Sequence, residues 1–554
     1  MTRMTVADNM VAVLRESGVR RLYGVPGDSL NGLVDALRRS AGIEWIPVRH
    51  EEAAALAAGA DAALTGRLAV CVGGCGPGST HLINGLYDAQ RNGVPLLAIA
   101  AQVPGAEIGG EYFQETHPEE SFEECSVYSA VISHPEHAEH IFGMAIRAAV
   151  ERRGVAVVVV PGEVFLAPAD PPSLPVGVQA TSPVVRPSDA ELRTAAGILD
   201  SSSRVTILAG AGCAGARDEV LALAAALQAP IVHTLRGKEI LEFDNPYDVG
   251  MTGLLGFASG YKAIRDADTI LMLGTDFPYR QFLPKRTYIQ VDVRGERLGR
   301  RADLTLALVG TVRDTVAGLR PLLRAERTSG HLDAACAHYR RARDHLDDRA
   351  VADRVPVHPE LVARTLSAVA ADDAVFTVDA GSPMVWAARS LRMNGKRRLL
   401  GSFNHGSMAT ALPNGIGAKA ASSGRQVVAM AGDGGLSLLL GELRTLVQLQ
   451  LDVKVVVFND DTPHFADVAA AMGMPSRRVT HVDDLRDAAT ELLGRDGPAL
   501  LEVITARQEP AIPPAIAAAQ AKGLSLYAIR TILAGRGDEL LDLVSTHVAR
   551  RLLG

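Results

Sequence analysis

The chain has 554 residues, too many for one hydrophobic core at about 150 residues per domain, so three or four domains are expected. With 47% apolar residues, 21% charged residues and a net charge of -7, it reads as globular; no Lys/Arg block or aromatic-basic alternation marks a nucleic-acid surface. The five cysteines lack CxxC spacing, which argues against a zinc site or a disulfide framework and for reduced thiols.

The first stretch, "MTRMTVADNMVAVLRESG", mixes acids with its apolar residues, and no apolar run in the chain reaches ~18 residues. A cytoplasmic protein, neither exported nor membrane-spanning, is the expectation. "VRHEEAAALAAGADA" reads as a helix with Glu51 and Glu52 in an acidic first turn, followed by a strand and a glycine turn in "GRLAVCVGGCGPG". Further on, "HLINGLYDAQRNGVPLLAIAAQ" gives another helix and strand, and "EYFQETHPEE" reads on its own as a solvated loop containing Phe113 and Gln114.

A Pro-rich linker from Pro168 to Leu192 precedes "RVTILAGAGCAGARDEV", a strand, a turn from Gly210 to Gly215 and a helix. This lone GxGxxG is weak evidence for a dinucleotide, because the following strand "PIVHT" lacks the acid expected about 20 positions on. Tight strand-helix packing is the competing explanation of its glycines. A second linker runs from Asp347 to Leu361.

Beyond it, "MATALPNGIGAKAASSGRQVVAMAGDGG" repeats the helix, turn, strand and glycine turn of the first segment, which implies a duplicated unit around a different middle one. "VVAMAGDG" predicts a buried strand ending at Asp433, "LSLLLGELRTLVQLQL" one helix, and "VKVVVFND" a strand ending at Asp460. The 27 positions between the two acids let one helix return the chain, so that both carboxylates meet on one sheet edge beside Gly434 and Gly435. Such a pair suits Mg²⁺ or Ca²⁺ holding a diphosphate; a solvated or helix-capping strand end is the alternative. The last stretch places Leu540, Val544, Val548 and Leu552 at fourfold spacing near Arg550 and Arg551, an amphipathic helix suited to a lipid surface or to packing on a subunit. The fold class expected is α/β: doubly wound parallel-sheet domains over 1–175, 185–335 and 355–525, the outer two duplicated, with a C-terminal tail over 526–554.

"GDGG" followed at this distance by "FND" resembles the metal and diphosphate motif of thiamine-diphosphate enzymes, and "VRHEEAAALAAGADA" resembles the pyrimidine half of the same site. Longer stretches, among them "CGPGSTHLINGLYDAQRNGVPLLAIAA" and "APIVHTLRGKEILEFDNPYDVGMTGLLGFASG", resemble the pyruvate oxidase family in its quinone-reducing branch, the pyruvate:quinone oxidoreductases. The resemblance implies thiamine diphosphate, Mg²⁺ and FAD as cofactors. It makes Glu51 the carboxyl that exchanges a proton with the aminopyrimidine ring. Gly406, Ser407 and Met408 become the segment beneath the bent cofactor, and Phe113 and Gln114 lie near the reacting carbon. Asp433, Asp460 and the Thr462 carbonyl become metal ligands, although the family has Asn where Asp460 stands.

FAD contacts are implied at Met251, Thr252, Gly253 and Leu254, at Gly274, Thr275, Asp276, Phe277 and Pro278, and at Asp292, Val293, Arg294 and Arg297. Also implied are pyruvate as substrate, a membrane quinone as electron acceptor, a lipid-docking tail at the inner face of the cell membrane, and a dimer or tetramer with half-sites joined across subunits. An acetolactate synthase, another 2-keto acid decarboxylase or a catalytically silent relative remain alternatives. The family carries roughly two dozen residues covering the site after the metal-binding pair. Here "FADVAAAMG" begins five positions after Asp460, so either that cover is lost or the sequence omits it.

Overall fold

The structure is a computed structural model and describes residues 4–170, 177–178, 180–324, 327–349 and 355–506. The Val, Ile and Ala runs of the sequence form strands buried along their whole length, as in Val155–Pro161 and Val453–Asn459. Strands with no polar face require cover on both sides, and they assemble into three six-stranded sheets in which every pairing is parallel.

The first sheet contains β1 (Arg21–Gly24), β2 (Glu44–Pro47), β3 (Ala69–Gly73), β4 (Leu96–Gln102), β5 (Tyr128–Val131) and β6 (Val155–Pro161), in the order β2-β1-β3-β4-β6-β5. Among its helices are α1 (Glu51–Thr65), α2 (Ile83–Asn92) and α3 (Ala138–Arg152). The middle sheet contains β7 (Val205–Ala209), β8 (Ile231–His233), β9 (Asp248–Met251), β10 (Thr269–Leu273), β11 (Thr287–Asp292) and β12 (Leu306–Val309), in the order β12-β11-β10-β7-β8-β9. The third contains β13 (Val375–Val378), β14 (Arg398–Gly401), β15 (Val427–Gly432), β16 (Val453–Asn459), β17 (Ser476–Val479) and β18 (Ala499–Ile504), in the order β14-β13-β15-β16-β18-β17. That order is the first sheet's order shifted by twelve strands, so the outer domains are copies of one fold. Helices α4 (Ala411–Ala421), α5 (Asp433–Leu438) and α6 (Glu442–Leu449) belong to this third domain.

Two details differ from the sequence reading. The apolar stretch after Asp433 forms two helices, α5 and α6, with a break at residues 439–441. The reason lies in packing: Glu442 at the start of α6 turns toward the main chain of the first domain. The turn after β7 is also accounted for by packing, because the Gly210 N–H is donated to Leu273 O and the Gly212 N–H to Gly274 O. A Cβ on Gly212 would lie 2.6 Å from Gly274 Cα, so the glycines are required by backbone contact whether or not a ligand binds there.

The outer domains meet directly within one chain. Helices α1 and α4, both rich in Ala and Gly, lie so close that a Cβ on Gly417 would come 2.0 Å from the Ala57 carbonyl oxygen. The two helices share one apolar cluster, which contains Ala53–Ala58 and Ala411, Leu412, Ile416 and Ala418.

Candidate active site

Ligands of doubly wound sheets bind at the carboxyl ends of strands where the winding reverses. In the outer sheets that reversal lies between β1 and β3 and between β13 and β15. Asp433 directly follows β15, and the Gly74-Cys75-Gly76 turn follows β3.

The Asp433 carboxylate accepts the Gly434 N–H at 2.6 Å and lies against both the backbone N–H and the carboxyl of Asp460. Burial raises the Asp433 pKa and the charge of Asp460 adds to the rise, while the two backbone N–H groups oppose it. Two adjoining carboxylates at the start of α5 form a hard-oxygen donor set that fits Mg²⁺ and, through it, a diphosphate. Below the turn, buried Asp379 accepts the Ala411 N–H at 2.8 Å and the Gly432 N–H at 3.1 Å, and burial pushes its pKa up to about 6. A Cβ on Gly435 would sit 2.1 Å from Asp379 Oδ2, so this turn accepts only glycine there.

Met408 lies over the same turn: a Cβ on Gly434 would meet its Cε at 3.0 Å. Gly406 has φ +82°, and the Ser407 hydroxyl accepts from Asn84 Nδ2 of the first domain at 2.7 Å. The same Asn84 nitrogen donates to Glu52 Oε1 at 2.7 Å, so Asn84 joins the segment before α4 to the first turn of α1. Glu51 opens α1 with its side chain 13% exposed, and its Oε2 lies 3.0 Å from His81 Nδ1, whose ring stacks on His50. Glu442 fixes the approach to Glu51, since its buried Oε1 accepts the N–H groups of Arg49 at 2.8 Å and His50 at 3.1 Å.

The structure thus brings Glu51, the Gly406–Met408 segment and the Asp433–Asp460 pair to one junction of the outer domains. Gln114, at φ +66°, packs on the turn after β3, with its Oε1 3.3 Å from Cys75 Sγ. Phe113 is 80% exposed and makes no ring contact among the described residues. Thr462 follows Asp461, which has φ +104°, and precedes a cis bond to Pro463. Five residues, 460–464, connect the strand ending at Asn459 to the helix at Phe465–Ala471. Met408 and Leu438 are left 44% and 65% exposed. His81, Asn84, Asp379 and Glu442 carry no sequence signal of their own; each acquires its place through contacts far along the chain.

In the middle domain the segments noted from the sequence gather along the carboxyl edge. Thr252 follows β9 and its buried Oγ1 has no hydrogen-bond partner among the described residues. Gly253, at φ +94°, packs on Phe277 and Tyr279, and Leu254 adjoins the same apolar cluster. The Thr275 carbonyl accepts from Gln290, Asp276 lies 3.6 Å from Arg301, and Pro278 is exposed. Asp292 ends β11 and accepts the Arg294 N–H at 2.9 Å; Val293 beside it is exposed. The orphaned Thr252 hydroxyl at this edge fits a ligand with a polar group to satisfy it, as a cofactor such as FAD would have.

Three family models match: the N-terminal TPP binding domain of thiamine pyrophosphate enzymes over 4–122, their central domain over 192–319, and their C-terminal TPP binding domain over 379–462. An uncharacterized 42.6 kDa protein of Pseudomonas amyloderamosa is 56% identical over 356 residues, 64% of this chain and 90% of that protein. The putative thiamine pyrophosphate-containing protein YdaP of Bacillus subtilis is 34% identical over 575 residues, 98% of this chain and 99% of that one. That alignment exceeds the 554 residues here, so YdaP carries residues this chain lacks. The pyruvate oxidase of Lactiplantibacillus plantarum is 28% identical over 92% of this chain and 90% of its own, and acetolactate synthase large subunits match at 26–29% identity. With matched domains in all three units and a full-length relative above 30% identity, the chain belongs to the thiamine pyrophosphate enzyme family.

Proposed function

We propose that this protein oxidatively decarboxylates pyruvate to acetate and CO₂, passing two electrons to FAD and then to a membrane quinone. The observation that carries this reading is the packing of α1, which Glu51 opens, on α4, with Asn84 of the first domain bonded to Ser407 and Met408 lying over the turn that Asp433 begins, beside a middle domain whose carboxyl edge holds the unpartnered Thr252 hydroxyl. Bound thiamine diphosphate and FAD supply the nucleophilic carbon, the electron sink and the two-electron acceptor. The chain's own residues bind and position. Asp433 and Asp460, with the Thr462 carbonyl as third protein ligand, would hold Mg²⁺ and through it the diphosphate. Met408, over the turn at Gly434, would support the cofactor. Glu51 exchanges a proton with the aminopyrimidine ring, a task suited to a carboxyl shielded from water and held by His81. Phe113 and Gln114 border the substrate, and Thr252, Asp276, Asp292 and their neighbours contact FAD.

The electron acceptor implies an approach to lipid at the inner membrane face, through a tail at 526–554 that lies outside the described residues. Among the described residues no helix is long and apolar enough to cross a membrane. The resemblance also implies a dimer or tetramer, although the half-sites expected to join across subunits meet here within one chain. The test is yellow purified protein that reduces an artificial acceptor only with pyruvate, thiamine diphosphate and Mg²⁺. Colourless protein that FAD cannot reconstitute overturns the oxidase reading. The second reading, an acetolactate synthase, is favoured by relatives at the same identity as the pyruvate oxidase; it predicts acetolactate as product without dye reduction.

A further inference from the structure

One short helix of the third domain, Ser382–Ser390, connects the turn before Asp433 with the turn after β9. At its start Gly381 has φ +118°, and a Cβ on Gly432 would touch Pro383 Cγ at 3.7 Å, so the first turn of the helix packs on the glycine that precedes Asp433. Asp379, just ahead of this helix, accepts the Gly432 N–H at 3.1 Å and ties the same two pieces together. The helix is nine residues long and carries the chain ~13 Å to its other end. There Arg389 reaches into the middle domain.

Arg389 is 6% exposed, and its guanidinium donates from Nε to Leu255 O at 3.2 Å and from Nη2 to Gly256 O at 3.1 Å. Both carbonyls belong to the turn 252–256, which also carries the unpartnered Thr252 hydroxyl. This turn sets its own shape. The Gly256 N–H is donated to Gly253 O at 3.1 Å and the Phe257 N–H to Met251 O at 2.8 Å, and a Cβ on Gly256 would stand 2.6 Å from Thr252 Cα. Those bonds are internal and leave open where the turn sits relative to the third domain. Arg389 fixes that, together with Ala388, which packs with Met251 and Phe257. Arg343 donates to the Arg389 carbonyl at 2.9 Å and holds the end of the helix in turn.

A guanidinium is costly to bury, and here its charge is set against two carbonyl oxygens of another domain. Ala388 with its apolar neighbours could close the same gap, but an apolar contact lets two surfaces slide. A rigid fork with two donors at a fixed angle sets both the distance and the tilt of the turn it holds.

We propose that Arg389 is a positioning residue for the passage of electrons between the two cofactor sites: it fixes the flavin-side turn 252–256 to the helix whose other end packs on the metal-side turn. The inference rests on the flavin reading above. In the step it serves, pyruvate and water give acetate, CO₂, two protons and two electrons, and FAD takes up those protons and electrons as FADH₂. Arg389 acts on this step through the turn, by holding the flavin at its distance from the thiamine site.

The test uses full-length parent protein, Arg389→Met and Arg389→Lys, each with thiamine diphosphate, Mg²⁺ and saturating FAD. Flavin bleaching is followed without oxygen after mixing with pyruvate and, separately, with dithionite, which reduces flavin without the thiamine site. Thiamine diphosphate affinity is the folding control. Arg389→Met should slow bleaching by pyruvate roughly tenfold or more and leave bleaching by dithionite parental, with Arg389→Lys between the two proteins. If Arg389→Met does not fold, Arg389→Lys decides: a parental rate with pyruvate overturns the proposal, and a several-fold slower one upholds it. Equal slowing with both reductants, or loss of thiamine diphosphate affinity in both variants, makes Arg389 a folding residue and overturns its positioning role. Parental bleaching by pyruvate in Arg389→Met overturns the proposal and leaves the flavin reading standing. Parent protein that binds no FAD, or whose flavin pyruvate does not bleach, overturns the oxidase reading and the proposal together.

Discussion

The Asp88 carboxylate accepts the Ser402 hydroxyl at 2.7 Å, and Ser402 Oγ accepts the Ser407 N–H at 2.9 Å. A buried acid of the first domain thus sets the loop that carries Met408 in the third. Burial pushes the Asp88 pKa up to about 6, opposed by Ser402, Arg236 and Asn92. Because the folded state holds this proton more tightly than the unfolded chain, its contribution to stability falls as pH rises from about 4 to about 6. Asp88→Asn removes the titration. In urea unfolding, the variant should gain on the parent by up to ~3 kcal/mol between pH 4 and pH 7. A difference between the two proteins that stays constant with pH refutes the assignment.

Glu51 and Asp433 should separate chemistry from affinity. Glu51→Gln keeps the shape beside His81 but removes the proton, so thiamine diphosphate should still bind while turnover falls ~10² to 10⁴-fold. Asp433→Ala leaves Asp460 as the lone carboxylate of the pair, and Mg²⁺-dependent cofactor binding should be lost before any effect on chemistry can be read. Titration of the cofactor into each variant, followed by pyruvate-dependent dye reduction at saturation, checks both. Parental turnover in Glu51→Gln would move the proton-transfer role to Glu52 or remove it altogether.

Glu442 is 1% exposed and holds the two N–H groups immediately before Glu51. Glu442→Ala strands both donors, at ~1–3 kcal/mol each, and frees the chain that aims Glu51. Glu442→Gln retains one acceptor oxygen and should lose less stability. The Ala variant should show a fall in kcat larger than any rise in KM, because the group acts on the position of Glu51 rather than on the substrate. Steady-state kinetics on both variants supplies the measurement, and parental kcat in Glu442→Ala contradicts it.

Much of this fold was readable because buried parallel strands announce themselves: "VAVVVVP" and "VKVVVFN" have no polar face and so demand cover on both sides. The duplication was equally visible in the repeated helix, turn and strand. Asp433 and Asp460 could be paired because one strand-helix-strand return has a fixed reach. Contacts across domains were not legible. Glu442 meets Arg49 at a separation of 393 residues, and nothing in "GELRTL" marks its glutamate as buried. The same stretch concealed a helix break, since its apolar run continues through Leu439–Gly441 and only Gly441 hints at the bend.

The last expectation concerns how closely the two half-sites are held. Gly417 faces Ala57 across α4 and α1, and an added Cβ would stand 2.0 Å from the Ala57 carbonyl oxygen and 2.9 Å from its Cα. The obstacle is backbone, which cannot rotate aside, so Gly417→Ala must push the helices apart by on the order of 1 Å at a cost of ~1–3 kcal/mol or more. Helix α1 begins at Glu51, and α4 begins three residues after Met408. Separation of the helices therefore separates the proton-transfer group from the support of the cofactor. Misplacement on that scale costs ~10²-fold in rate when the reacting groups must be aligned. The variant should lose turnover and thiamine diphosphate affinity while any flavin absorbance stays parental, because the middle domain is untouched. Gly424→Ala, with nothing within 4 Å of the added carbon, is the matched control and should behave as the parent. Gly417→Ala with parental turnover would show that the α1–α4 contact does not set the distance between Glu51 and Met408.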